Sequence, residues 1–180
     1  ATPSVVNIYT AKVVSQRSTR LNDPLLRRFL GPPGGGQRVE RSLGSGVIMS
    51  AQGHIITNNH VISDADAIQV ALHDGRTAQA VVIGSDPDTD LAVLKIDLPS
   101  LDPVEPTDSD AISVGDVVLA IGNPYGFSHS VTQGIISGLG RYGLQLSTYE
   151  DYIQTDASIH LGNSGGALID SSGKLVGINT

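Results

Sequence analysis

Three short stretches, in a set order, constrain this chain more than any property of the whole. They are a histidine in Thr57-Asn58-Asn59-His60-Val61, an aspartate heading the apolar run 90–96, and a serine in Gly162-Asn163-Ser164-Gly165-Gly166. A serine among glycines can be approached closely by a substrate backbone. It also leaves backbone N–H groups, here those of Gly162 and Ser164, free to meet negative charge developing on a carbonyl oxygen. Gly, Asn and Ser dominate turns for conformational reasons too, so this loop alone does not separate a nucleophile's seat from an ordinary turn. The other two stretches do. The run His54-Ile55-Ile56 reads as a strand ending just before His60, which puts the imidazole at a strand's rim. Asp90, at the head of another strand, is placed to be half buried and to hold a histidine in one tautomer.

The order His, Asp, Ser speaks to the fold. Among unrelated folds that assemble such a trio, it belongs to the chymotrypsin-like double barrel, whereas subtilisins run Asp, His, Ser and α/β-hydrolases run Ser, Asp, His. Short β-rich runs at 5–9, 46–49, 54–57, 68–72, 78–83 and 91–96, separated by turn residues such as Gln52-Gly53 and Asp74-Gly75, suit a barrel. Further runs follow at 117–121, 130–137, 152–155, 167–169 and 174–179. The expected organisation is a first barrel over 1–98 with a long inserted loop at 15–41, a Pro-rich linker at 99–110, and a second barrel from 111 to 180. His60 and Asp90 then fall in the first barrel and Ser164 in the second, so the trio meets where the barrels face each other.

These stretches resemble the protease domain of the HtrA/Deg family, in its stress-sensing type. The resemblance rests on Leu43-Gly44-Ser45-Gly46-Val47-Ile48-Met49, residues 56–61, Asp74-Gly75-Arg76, Gly84-Ser85-Asp86, and residues 89–96, 115–124, 132–137 and 154–159. It implies a serine endopeptidase of envelope protein quality control or stress signalling, cleaving misfolded or regulatory proteins in the bacterial periplasm. Any export signal or inner-membrane anchor would lie before residue 1. It further implies a homotrimer, and a PDZ domain after Thr180 through which C-terminal peptides activate the enzyme. The family's barrel has further strands beyond Thr180, so the fold expected here is an all-β, chymotrypsin-like double β-barrel whose second barrel is incomplete at the C-terminus.

The resemblance also assigns residues outside the trio. Ser158 and Ile159 stand where the primary substrate pocket is built, and since neither is acidic, small aliphatic residues suit it better than basic ones. Arg141, at the start of the stretch 140–151, matches the arginine of the switch that couples PDZ domains to the catalytic centre. Tyr125 and Gln154 lie in segments which that switch touches in relatives. One departure matters: many relatives have Asn-Pro before the glycine of the serine motif, and this chain has His160-Leu161. Relatives of the stress-sensing type lack that proline too, which leaves open whether the oxyanion site forms without an activator. A latent protease-like domain serving as a chaperone or binding module is the alternative function.

Composition narrows the remaining classes. With 11 basic and 18 acidic residues the net charge is −7 and no basic stripe is visible, which argues against nucleic acid as a partner. Cysteine is absent, so neither disulfides nor thiol chemistry is available. His54, His73, His129 and His160 show no i, i+4 pairing of the zinc-binding kind, and no metal or other cofactor is expected. Asp64, Asp66, Asp86 and Asp88 read as turn and cap residues, although Asp88 competes with Asp90 for the place beside His60. In the insertion 15–41, residues 23–30 read either as a short amphipathic helix facing a membrane or partner, or as a solvated loop.

Overall fold

Apolar residues come repeatedly in adjacent pairs: Val5-Val6, Val47-Ile48, Ala120-Ile121, Leu168-Ile169 and Leu175-Val176. Neighbours in a strand point to opposite faces, so each pair calls for a strand buried on both sides. The computed structural model describes residues 1–15, 37–123, 129–160 and 162–180. It places seven strands in one antiparallel sheet: β1 (Val5–Ser15), β2 (Gln37–Ile48), β3 (His54–Asn58), β4 (Ala67–Ala71), β5 (Thr77–Gln79), β6 (Val81–Asp86) and β7 (Leu91–Lys95). Their order is β5-β4-β1-β2-β3-β7-β6. A second antiparallel sheet, ordered β10-β9-β8-β11-β12, holds β8 (Val117–Gly122), β9 (Ser130–Arg141), β10 (Tyr152–Thr155), β11 (Ala167–Asp170) and β12 (Leu175–Ile178). The two sheets curl into half-barrels, and the fold is the chymotrypsin-like double β-barrel expected from the order of the motifs.

The apolar pairs sort into three cores by alternation. Val6, Ile8, Ile48, Ile55, Val70 and Leu94 fill the first barrel. Val118, Ala120, Ile136, Leu168 and Val176 fill the second. The partner of each pair goes to a third cluster between them, where Val5 and Val47 of the first sheet meet Ile121, Ala167, Ile169 and Leu175 of the second. A one-residue register slip in β1, β2 or β11 would exchange core and interface side chains, so the pairs specify register as well as burial.

The structure adds detail to two stretches of the sequence reading. The insertion read at 15–41 begins and ends in strand: β1 and β2 pair from Val5↔Val47 to Ser15↔Gln37, and the part left, residues 16–36, lies outside the described residues. The ladder continues through Lys12↔Glu40 and Ala11↔Arg41, where charged residues hid the strand signal. The Pro-rich stretch before the second barrel is also more than a tether. Leu101 is buried in the first core and Val104 in the middle one; Val104 N–H donates to the Ile48 carbonyl at 2.9 Å, and Leu175 N–H to the Glu105 carbonyl at 2.8 Å. Among the described residues no helix is long and apolar enough to cross a membrane.

Leu72 is 3% exposed in the first core, beyond the end of β4. Leu72→Ala is expected to cost about 2–5 kcal/mol of stability through lost burial and an unfilled cavity. Chemical denaturation checks this, and a midpoint unchanged from the parent protein would contradict the packing described.

Candidate active site

His60 follows β3 directly, in the short helical turn α1 (Asn59–Ile62). Asp90 precedes β7, and the β3/β7 ladder pairs Asn58 with Leu91, so register alone brings the two residues face to face. His60 Nδ1 lies 2.7 Å from Asp90 Oδ2, and His60 N–H donates to Asp90 Oδ1 at 2.9 Å. Both carboxylate oxygens therefore face the histidine. Asp90 has a left-handed backbone, φ 56°, which aspartate tolerates better than most residues. Its carbonyl is fixed by the N–H of Asn59 at 3.0 Å and by Asn58 Nδ2 at 3.2 Å. The Asp90 side chain is 18% exposed, whereas that of His60 is 53% exposed, so one end of the pair is held and the other is open to solvent. Asp88, its sequence competitor, makes no hydrogen bond to His60 among the described residues; its carbonyl instead accepts the Tyr149 N–H at 2.9 Å.

The serine loop comes from the second sheet, just before β11. Asn163 N–H donates to the His160 carbonyl and Gly166 N–H to the Asn163 carbonyl, each at 2.9 Å, which makes two overlapping turns around Gly162, φ 93°, and Gly165, φ 82°. The loop is docked on the first sheet by Ser45 N–H donating to the Ser164 carbonyl at 2.8 Å. Ser45 Oγ donates to the Gly162 carbonyl at 2.6 Å. Gly165 N–H donates to the Asn179 carbonyl at 2.8 Å, and the next residue, Thr180, reaches Asp90 Oδ2 through Oγ1 at 3.3 Å. The serine loop and the His60–Asp90 pair thus share one corner of the inter-sheet cleft. Ser164 is half buried, and no hydrogen bond joins its hydroxyl to His60 among the described residues. The N–H groups of Gly162 and Ser164 have no hydrogen-bond acceptor among those residues either.

The other expected positions divide. Ile159, 36% exposed, lines a cleft of about 290 Å³ together with Asn58, Asp90, Tyr149 and Tyr152. Ser158 is exposed, and its carbonyl accepts from Thr132 Oγ1 at 2.7 Å. Arg141 ends β9 rather than opening a loop, and its Nε donates to Gln154 Oε1 on β10 at 2.9 Å. Tyr125 lies outside the described residues. His54 Nδ1 is taken by Ser50 Oγ at 2.7 Å, and His129 Nε2 lies 3.0 Å from the Val5 carbonyl. Among the described residues no cluster of His, Asp or Glu could hold a metal ion.

Sequence reasoning missed two residues here. One is Ser45, whose signal was its place between two glycines inside a strand, since such glycines mark close backbone approach. The other is Glu150. Its carboxylate accepts the N–H groups of Leu144 and Leu146 at 2.7 Å each and that of Ser147 at 3.5 Å, so the loop after β9 is wrapped around it. The Leu146 N–H above all, with those of Leu144, Ser147 and Gly143, holds the Glu150 carboxyl below the ordinary glutamate range. A depressed carboxyl pKa contributes order above its ordinary value, and that order is lost as pH falls through the depressed one. The Leu144 and Leu146 amide resonances are therefore expected to titrate together, with a midpoint below that of a free glutamate, and to lose this step in Glu150→Gln. Amide shifts that stay flat through the acid range would show the loop to be held by other contacts.

Comparison with known proteins places this geometry in context. Residues 44–178 match the family described as the trypsin-like peptidase domain. The chain is 51% identical over 181 residues to the serine endoprotease DegS of Salmonella typhimurium, covering 100% of this chain and 46% of that protein. It is 49% identical over 162 residues to the periplasmic serine endoprotease DegP of Escherichia coli, covering 88% of this chain and 34% of that one. It also superposes on a solved structure described as the HtrA-type protease AlgW with decapeptide, with a TM-score of 0.82 at 57% identity, over 100% of this chain and 56% of that one. The chain spans less than half the length of the two curated relatives.

Proposed function

We propose a serine endopeptidase, from one premise: the chain belongs to the trypsin-like peptidase domain family, in its HtrA/Deg branch. The observation that carries the proposal is the pairing of His60 Nδ1 with Asp90 Oδ2 at 2.7 Å in the same corner as the glycine-flanked Ser164. In this reading Ser164 Oγ attacks the peptide carbonyl while His60 Nε2 takes its proton and then returns it to the leaving amine. Asp90 keeps the Nδ1 proton between itself and the ring, which leaves Nε2 basic and steadies the imidazolium. The N–H groups of Gly162 and Ser164 receive the oxyanion. Water then repeats the sequence on the acyl-enzyme. The absence of a Ser164–His60 hydrogen bond is compatible with this, because such bonds are often long before substrate binds.

The finer assignments belong to the same proposal. Ser158 and Ile159 contribute to a pocket for small aliphatic side chains, as neither brings an acidic partner for a basic one. The Arg141–Gln154 contact ties β9 to β10 just ahead of the serine loop and supports a regulatory role for these two residues; a regulatory role for Tyr125 rests on the family resemblance alone. The substrates are proteins or peptides, in keeping with the decapeptide of the AlgW structure. The setting is the periplasm, as the name of the DegP relative states for that protein, with assembly as a homotrimer and activation by C-terminal peptides through a PDZ domain. No observation favours the chaperone-like alternative.

Two experiments test this on the full-length protein. Ser164→Ala is expected to abolish cleavage and labelling by a fluorophosphonate probe, and Asp90→Asn to lower kcat by about 10⁴ through the wrong tautomer. Undiminished cleavage by Ser164→Ala would end the proposal, and a near-parental rate in Asp90→Asn would pass the orienting role to another group. For the regulatory contact, Arg141→Ala should lower peptide-activated turnover while leaving folding and unactivated turnover largely as they were. Equal losses in both states would make Arg141 structural.

A further inference from the structure

We propose that Ser45 is a positioning residue for the oxyanion site, an inference that rests on the serine endopeptidase reading above. Ser45 is fully buried on β2 of the first sheet, and every hydrogen-bonding group it owns is committed. Its N–H donates to the Ser164 carbonyl at 2.8 Å. Its hydroxyl donates to the Gly162 carbonyl at 2.6 Å and accepts the Asn123 N–H at 2.8 Å. Its carbonyl accepts Thr57 Oγ1 at 2.7 Å, which fixes the residue on its own sheet. Ser45 therefore grips both ends of the segment 162–164, whose N–H groups have to converge on one oxygen atom.

The need for such a grip follows from the loop's composition. Glycine has a broad choice of φ, so Gly162, at φ 93°, does not by itself select one direction for its carbonyl or for the peptide planes beside it. The two residues before it, His160-Leu161, include no proline whose ring would fix φ. The orientation has to be imposed from outside, and a part-buried hydrogen bond from a fully buried hydroxyl imposes it more strongly than a fully exposed one. A hydroxyl is suited to the place because it donates and accepts at one atom. Through that atom Ser45 links the Asn123 N–H, at the end of β8, to the Gly162 carbonyl. A backbone amide in the same position could do only half of this. Ser45 touches neither the substrate nor the reacting atoms, so its influence passes through the orientation of Gly162 and Ser164.

The test compares Ser45→Ala with Leu72→Ala, a core variant remote from the loop, in the full-length protein. Losing one oxyanion donor outright costs about 10²–10³ in kcat, so a donor left in place but loosely held should cost about 10- to 100-fold. Ser45→Ala is expected to lower kcat by that factor with KM changed less than about 3-fold, the pattern of an interaction realised only in the transition state. Affinity for a peptide boronate, which puts a negative oxygen in the site, should fall in parallel. Leu72→Ala should lose thermal stability but keep kcat and boronate affinity. If the core variant loses them to the same degree at similar Tm, or if Ser45→Ala keeps parental kcat and boronate affinity while Ser164→Ala is dead, the inference is overturned. Activity surviving in Ser164→Ala would instead remove the endopeptidase reading itself. Should Ser45→Ala not fold, Ser45→Cys, which keeps the shape and only a weak S–H donor, carries the same comparison, with a smaller kcat loss expected and a parental kcat overturning.

Discussion

One backbone hydrogen bond, from the Ser45 N–H of the first sheet to the Ser164 carbonyl of the second, holds the two halves of the site in register. It requires the serine loop to come within 2.8 Å, N to O, of a residue inside β2, and Gly165, just after Ser164, makes that approach possible. A Cβ on Gly165 would run into the Ser45 carbonyl and the Thr57 hydroxyl, and one on Gly166 into the Ile121 carbonyl. From sequence, the glycines around the serine suggest room for a substrate. In the structure, Gly165 and Gly166 are buried and make room for the protein's own backbone. Gly165 thus sets the distance between the barrels, and the middle core of Val5, Val47, Ile121 and Ala167 packs at the separation it allows, while Gly166 lets the serine loop lie against β8 of its own sheet.

How much of this could be read from the chain depended on whether the cause was local. The His60–Asp90 contact was legible because it follows from strand pairing: a histidine just after one apolar run and an aspartate just before another meet when those runs pair antiparallel. The fold class was legible through motif order, and the three cores through adjacent apolar residues. The long β1/β2 hairpin was not, since Lys12, Arg38, Glu40 and Arg41 break the alternation, and a ladder between two strands that continue each other can be polar. The split of residues 78–83 between β5 and β6 was also hidden, because Val81, Val82 and Ile83 look like core residues, yet all three are exposed on the edge strand β6. Ser45 and Glu150 escaped because each acts on backbone groups far from it or folded around it, and such partners leave no periodic trace.

The site therefore combines two kinds of positioning with different tolerances. His60 and Asp90 sit on adjacent strands of one sheet, and their separation is fixed by a five-residue ladder together with three further bonds to Asp90 backbone and carboxylate atoms. Disturbing it means breaking a sheet. Ser164 is held across the interface by the bonds from Ser45 to its own carbonyl and to that of Gly162, and within its own sheet by the Gly165 N–H donating to the Asn179 carbonyl, on a loop whose glycines accept more than one conformation. A free-energy change of about 1.4 kcal/mol, the size of one or two such bonds, already shifts a conformational equilibrium tenfold. The end of β9 and the loop after it are connected to both parts. Arg141 reaches Gln154 on the strand leading to the serine loop, and Tyr149 N–H donates to the carbonyl of Asp88, two residues before Asp90. An event that moved this loop would meet a stiff support on the first-sheet side and a compliant one on the second-sheet side. The displacement would then appear at Gly162–Ser164, which is where a regulatory input could change the oxyanion donors and leave the histidine–aspartate pair intact.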